Sequence, residues 1–407
     1  MTDSAHPSRL QQVLNKVPEV TLFFWIIKVL CTTVGETASD FLNVNLNFGL
    51  TGTSIVMGIL LIITLVLQLK TKKYIPVVYW LNIVFISIFG TLVTDNLTDS
   101  MKVPLEYSTI LFSVLLMGTF ALWYWKEKTL SIHSIFTAKR EMFYWLAILF
   151  TFALGTASGD LMAEALGLGY LVTGIIIAVL IATFSIAWRL GLNSILAFWV
   201  IYIMTRPLGA SIGDLLTQSR EHGGLGLGAT FTTVIFVLGI IVTVAFLAIT
   251  KWDVTTKDSL KEEELEEQKH PHIFAQVIVV ALLFVIASVG GYYWRQSQLK
   301  VEQQAALSAV GTSTSAQISP LGDLTTFKTI TKDMLNSVNA GDMAGANTHA
   351  NDLEYEWDNA EARLKPMNGA KWTEIDGAID KVLREVRAVK PNQQTAAAAL
   401  NALLAVL

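Results

Sequence analysis

Four aspartates, Asp40, Asp95, Asp160 and Asp214, stand in segments that are otherwise apolar. A carboxylate inside a bilayer is costly, so it is normally retained for a bound ion, a proton path or a partner. Residues four apart share one stripe of a helix. Reading back in fours adds Glu36, Thr32 and Lys28 behind Asp40, and Thr91 and Ser87 behind Asp95. Thr156 stands behind Asp160, and Ala210, Arg206 and Tyr202 behind Asp214; Asp99 and Glu164 lie one turn further on. Carboxylate and hydroxyl oxygens suit a hard cation such as Mg²⁺, Mn²⁺ or Ca²⁺, or protons. A soft-metal site would want Cys or Met, and Cys31 is the only cysteine; none of the six His lies deep in an apolar run.

The expected cation ligands are therefore Asp40, Asp95, Asp160 and Asp214, with Glu36 and Glu164 as auxiliary ligands or proton carriers. Lys28 and Arg206 add positive charge to the same stripes. In the functional reading they pair with Glu36 or Asp214 as a gate or a stand-in cation. Plainer readings stand beside these: Lys28 snorkels to the headgroups, Arg206 neutralises Asp214, and each Asp caps the following helix near the outer interface. Gly35 with Ser39, Gly90 with Thr94, Gly155 with Gly159 and Gly209 with Gly213 are also small residues four apart, the pattern of close helix packing in membranes.

The elements that position these residues form a repeat. Phe24-Trp25, Tyr79-Trp80, Tyr144-Trp145 and Phe198-Trp199 each place a Trp fifteen residues before an Asp, with a Gly five before it. Two spacings held through four copies mark an internal repeat. Asp40 and Asp160 are 120 apart and Asp95 and Asp214 are 119 apart, which points to duplication of a two-copy unit.

With 53% hydrophobic and 15% charged residues over 407 positions, the chain departs from the soluble norm of about 25% charged and reads as an integral membrane protein. Each copy supplies two apolar segments, at 20–43 with 48–69, 76–97 with 106–125, 141–165 with 169–188, and 194–217 with 226–250. About 20 apolar residues cross a bilayer, so eight spans are expected. The first, beginning at Thr21, contains Lys28 and reads as a retained helix, not a signal peptide. Lys70, Lys72, Lys73, Lys126, Lys128, Lys139, Arg140, Arg189 and Lys251 flank the ends away from the Asp, against little beyond Lys102 and Arg220 on the other side. The positive-inside rule puts the N-terminus (1–19) in the cytoplasm and the Asp ends outside, with the Trp residues in an aromatic belt at the inner interface.

The eight-helix domain (20–250) is followed by an acidic cytoplasmic linker (251–272) with Glu262, Glu263, Glu264, Glu266 and Glu267, where His270 and His272 are weak evidence for metal. A ninth span (273–295) returns the chain outward. After a Ser/Thr/Gly/Ala linker at 308–320, apolar residues at helical spacing, broken by Gly341, Pro366 and Pro391, predict a small extracytoplasmic helical bundle over 321–407. The fold class is thus all-α.

The stretches Lys16-Val17-Pro18-Glu19-Val20-Thr21, Gly35-Glu36-Thr37-Ala38-Ser39-Asp40, Glu141-Met142-Phe143-Tyr144-Trp145 and Thr205-Arg206-Pro207-Leu208-Gly209-Ala210 resemble a family of bacterial inner-membrane proteins built from a fourfold "repeat of unknown function" and labelled membrane-anchored. The resemblance covers about 16–250. It implies a bacterial cytoplasmic-membrane protein and carries no activity; the ninth span and bundle lie outside it.

The residues themselves lead to a secondary transporter of a small cation, with a hard divalent metal such as Mn²⁺ or Mg²⁺ as leading substrate, no other cofactor, and proton-driven export as the favoured direction. Repeats around a polar site are a common transporter design. The alternative is a non-transporting sensor or scaffold whose outer bundle binds a periplasmic partner. An enzyme ranks last, because no Ser with His or similar nucleophile and base accompanies the Asp. The expected partners are the lipid bilayer and the cation, with no nucleic acid; a homodimer stays open.

Overall fold

The computed structural model describes residues 15–45, 48–101, 103–217, 224–254, 273–310, 319–365, 367–388 and 390–407. Residues 1–14, Lys102, Arg220 and the acidic stretch with His270 and His272 lie outside these, as does the side chain of Asp99. The described chain is helical, with no strand, and falls into two units.

The first unit carries eight long helices: α1 (Leu22–Asp40), α2 (Gly49–Lys70), α3 (Pro76–Asp95), α4 (Leu105–Glu127), α5 (Ala138–Asp160), α6 (Gly169–Arg189), α7 (Ser194–Thr217) and α8 (Ala229–Thr250). Local signals set the starts of the odd-numbered four. Thr21 and Thr137 cap α1 and α5 through their hydroxyls, Pro76 opens α3, and Asn193 accepts the Leu196 amide at the start of α7. At their other ends, α1, α3 and α5 each finish on the repeat Asp, and a five-residue π-helical turn follows: Phe41–Asn45, Asn96–Ser100 and Leu161–Ala165. Such turns are rare and frequently mark functional sites.

Burial divides the eight into two sets. The apolar windows of α1, α3, α5 and α7 are 67%, 61%, 56% and 72% buried, against 22%, 28%, 11% and 22% for α2, α4, α6 and α8. The inner four close a ring, α1 on α3, α3 on α5, α5 on α7 and α7 back on α1. The outer helices dress it with a shift of one copy: α2 packs on α3, α4 on α5 and α8 chiefly on α1. Along α6, Gly174 faces Ser211 of α7. Each copy is thereby fastened to the next, and the fourth to the first.

The second unit holds Leu282–Leu407 with two short stretches, 44–47 and 162–169. Helix α9 (Ile273–Val310) contains the ninth apolar window and continues well beyond Trp294, so regular structure reaches further than the span expected from hydropathy alone. Then α10 (Thr325–Asn339), α11 (Met343–Leu364), α12 (Gly369–Val386) and α13 (Gln393–Val406) pack in a cycle. Their core is centred on Trp357, stacked on Trp372 at 3.8 Å with Phe327 edge-on at 5.1 Å. Asp342, Asn368 and Asn392 cap α11, α12 and α13.

Candidate functional site

Steps of four back from each Asp define tiers along the inner helices. The lowest holds Phe24, Tyr79, Tyr144 and Phe198, all buried. Each packs against the Trp of the following copy: Phe24 on Trp80 at 5.5 Å, Tyr79 on Trp145 at 5.5 Å, Tyr144 on Trp199 at 6.2 Å, and Phe198 on Trp25 at 5.7 Å. Tyr79 and Tyr144 also share a hydrogen bond of 2.5 Å between their hydroxyls. Trp80, Trp145 and Trp199 are buried and Trp25 half-buried. The expected belt facing the headgroups is corrected: these indoles close the foot of the ring, where their large apolar faces stabilise helix contacts.

Two tiers up stand Thr32, Ser87, Phe152 and Arg206, all buried. Each is met by the repeat Gly of the preceding copy. Gly35 faces Ser87, Gly90 faces Phe152, Gly155 faces Arg206 and Gly209 faces Thr32, and a β-carbon on any of these glycines would come within 3.0 Å of the residue it faces. Close packing therefore explains the Gly in all four copies, and it joins successive copies in one cycle.

Arg206 is the polar centre of the ring. It is 0% exposed, and its Nη2 donates to Glu36 Oε2 at 2.8 Å and to Thr91 Oγ1. Its stem lies on Gly155, so one α7 side chain touches α1, α3 and α5. Its partner is Glu36, not Asp214, because the guanidinium reaches across the ring and not along its own helix. Arg206 Nε and Nη1 are buried with no hydrogen-bond acceptor among the described residues.

Lys28 lies one tier below, 1% exposed. Its Nζ sits over the rings of Phe152 at 3.8 Å and Tyr202 at 4.1 Å, with no hydrogen-bond partner among the described residues. Lys28 does not snorkel to the headgroups, and among the described residues its Nζ lies on aromatic faces in place of the expected carboxylate.

Asp40, Asp95 and Asp160 end α1, α3 and α5, and Asp214 stands in the last turn of α7. All four are half-buried, as are Glu36 and, in the turn after Asp160, Glu164. Among the described residues no three His, Cys, Asp or Glu side chains gather closely enough to hold a metal ion. Arg206, Glu36 and Thr91 come together in one hydrogen-bonded group, with Lys28 one tier beneath.

A second polar group lies at the foot, where sequence reasoning saw only an approach to the first span. Lys16 and Glu141 form a buried ion pair at 2.6 Å, and Gln68 Nε2 donates to the same carboxylate at 3.0 Å. Tyr74 donates its hydroxyl to Asp253 Oδ2 at 2.5 Å. Burial raises the Asp253 pKa above the ordinary carboxylate range. Tyr74 is also raised, by burial first and then by the Asp253 charge. Only the position of Lys16 and Glu141 inside the stretches that carry the family resemblance could have drawn attention to them.

Comparison with known proteins matches a family model described as Repeat of Unknown Function (DUF347) to four stretches, residues 23–74, 78–129, 143–190 and 197–252, together about half of the chain. Each stretch begins within three residues of an aromatic-Trp pair and runs through one inner and one outer helix. No curated protein and no solved structure matches.

Proposed function

Because this chain belongs to the family of proteins built from the Repeat of Unknown Function (DUF347), whose description names no activity, we propose its function from the ring itself: secondary transport of a small cation across the bacterial cytoplasmic membrane. The observation that carries the proposal is the fully buried Arg206, held by Glu36 and Thr91 between four helices. Desolvating a guanidinium and its carboxylate costs several kcal/mol, and an apolar substitute of similar volume often stabilises better. A charge kept at such cost in a membrane points to ion movement.

In this reading Arg206 is a tethered cation that occupies Glu36 while the ring is closed. A cation arriving at the Asp ends meets the carboxylates of Asp40, Asp95, Asp160 and Asp214 singly or in pairs, since no three stand close enough to hold it together among the described residues, with Glu36 as an auxiliary ligand or proton carrier. Arg206 then yields Glu36. Lys28, caged on Phe152 and Tyr202, is a second basic side chain that fills the path below Arg206 while the path is shut. Oxygen ligands favour a hard divalent ion, Mn²⁺ or Mg²⁺ first, and proton influx would drive export. On the positive-inside rule, this reading has the Trp ends and the N-terminus in the cytoplasm and the Asp ends outside. The fourfold cycle of contacts supplies the pseudo-symmetric scaffold on which repeat transporters rock. No enzymatic step enters this reading.

A second reading, a sensor or scaffold that carries no flux and uses its bundle to bind a periplasmic partner, is favoured by the tight glycine and aromatic closure of the ring. Flux into proteoliposomes, scanning Mn²⁺, Mg²⁺, Ca²⁺, Zn²⁺ and H⁺ with Glu36→Gln and Asp160→Asn alongside, separates the two. Selective flux that both folded variants lose is the expected result. Folded native protein that moves none of these ions would remove the transport reading and leave the scaffold.

A further inference from the structure

The segment Asn15–Glu19 precedes the first span, and its sequence predicts only a polar approach to it. Instead Asn15, Lys16, Val17 and Pro18 are buried, and Val17 belongs to the core of the first unit. The segment is bound through its backbone to three separate parts of the foot. The Tyr74 amide, before α3, donates to Asn15 O at 3.0 Å; the Lys16 amide donates to Ile135 O, before α5, at 3.1 Å; and the Glu19 amide donates to Asp253 O, after α8, at 2.8 Å.

Side chains reinforce this. Lys16 Nζ bonds Glu141 in the first turn of α5 at 2.6 Å and the Leu69 carbonyl at the end of α2 at 3.1 Å. Gln68 holds the other oxygen of Glu141. Glu19 faces His133 at 3.3 Å. A short segment without regular structure thus makes polar contacts with the starts of α3 and α5, the end of α2 and the residues after α8, while running directly into α1.

We propose that Asn15–Glu19 is a strap that shuts the foot of the ring, with the Lys16–Glu141 ion pair as its latch. The proposal builds on the transport reading, but what it asserts is access through the foot, which thiol modification reads without any ion flux. Breaking the latch leaves one buried charge unmatched, which favours withdrawal of the strap into water. Release would free the aromatic tier of the foot to part, while the Gly contacts and the Arg206–Glu36 pair above remain in place.

Cys31 is the native reporter. It is the only cysteine in the chain and is fully buried on α1, one turn from Lys28. The full-length protein, in membrane vesicles of both orientations, is treated with a charged methanethiosulfonate reagent, and the rate of Cys31 modification is read by mass. Glu141→Gln and Lys16→Met should each raise the rate by roughly tenfold or more from the strap face, with little change from the Asp face. Lys16→Arg, which keeps charge and donors, should stay protected.

In Lys16→Met the Glu141 carboxylate keeps its Gln68 partner, so that variant answers the question if Glu141→Gln does not fold. Cys31 as protected in the folded latch variants as in the native protein overturns the strap. Equal acceleration from both faces reports general loosening and also overturns it. The rate of thiol modification needs no flux, so a released strap in a protein that moves no ion would sink the transport reading and leave the strap intact.

Discussion

The stem of Arg206 lies against Gly155, and from there its guanidinium crosses the ring to Glu36, 2.8 Å away. The glycine and the ion pair are one device: a side chain at 155 would occupy the space through which Arg206 passes. Gly155→Ala should therefore destabilise by about 1–3 kcal/mol through overpacking. Gly118 on α4 has no atom close to where a β-carbon would stand, so Gly118→Ala should gain up to ~1 kcal/mol from helix propensity. Thermal unfolding in one detergent compares them, and equal shifts of the same sign would show that the contact at Gly155 does not matter.

Glu36 is the only carboxylate bonded to Arg206 among the described residues of the ring. Glu36→Gln should cost about 3–5 kcal/mol, because it leaves a buried guanidinium without its counter-charge. Adding Arg206→Met should return part of that loss. A double-mutant cycle that gives simple additivity would mean the pair is not energetically coupled.

At the foot, Tyr79 and Tyr144 share one hydrogen bond. Tyr79→Phe and Tyr144→Phe should each cost about 1 kcal/mol, and the double variant little more than either single one. Trp145, packed on Tyr79, anchors a larger contact, and Trp145→Ala should cost about 3–5 kcal/mol. Unfolding midpoints that leave Trp145→Ala level with the tyrosine variants would place the indole outside the ring contact.

Asp253 gives a pH dependence with a definite sign. Burial raises its folded pKa above the unfolded value of about 3.9, so the folded state holds the proton more tightly. The stability from the protonated form is full below the unfolded pKa and is lost as pH rises through the folded one. Asp253→Asn keeps an oxygen for the Tyr74 hydroxyl and removes the titration. Denaturation across pH should find the two proteins similar near pH ~4 and the variant the more stable at pH ~7. A native protein that gains on the variant as pH rises would refute the assignment.

Several features of the ring and the bundle are legible in the chain's local chemistry. Hydropathy and the Trp, Gly and Asp spacings are properties of short stretches, and each inner helix begins at Thr21, Pro76, Thr137 or Asn193 for reasons visible in its own first turn. The bundle is equally legible, because Phe327, Met334, Trp357, Ile375, Ile379 and Leu403 repeat at helical period and are buried.

Other features depend on which helix meets which. Along the sequence, Arg206 has Asp214 two turns ahead on its own stripe, yet it bonds to Glu36, 170 residues away. Lys28 has Glu36 two turns ahead, yet it lies on rings from α5 and α7. The indoles that composition assigns to the membrane surface close the foot, and Lys16 finds Glu141 125 residues on. The sequence by itself determined the spans, the fourfold repeat and the residues each helix can present, since helical period, capping and hydropathy act within a few residues. Only the tertiary structure decided the partners, because each copy packs on the next and the fourth on the first, and a charge buried by that closure bonds to whatever the neighbouring helix places within its reach.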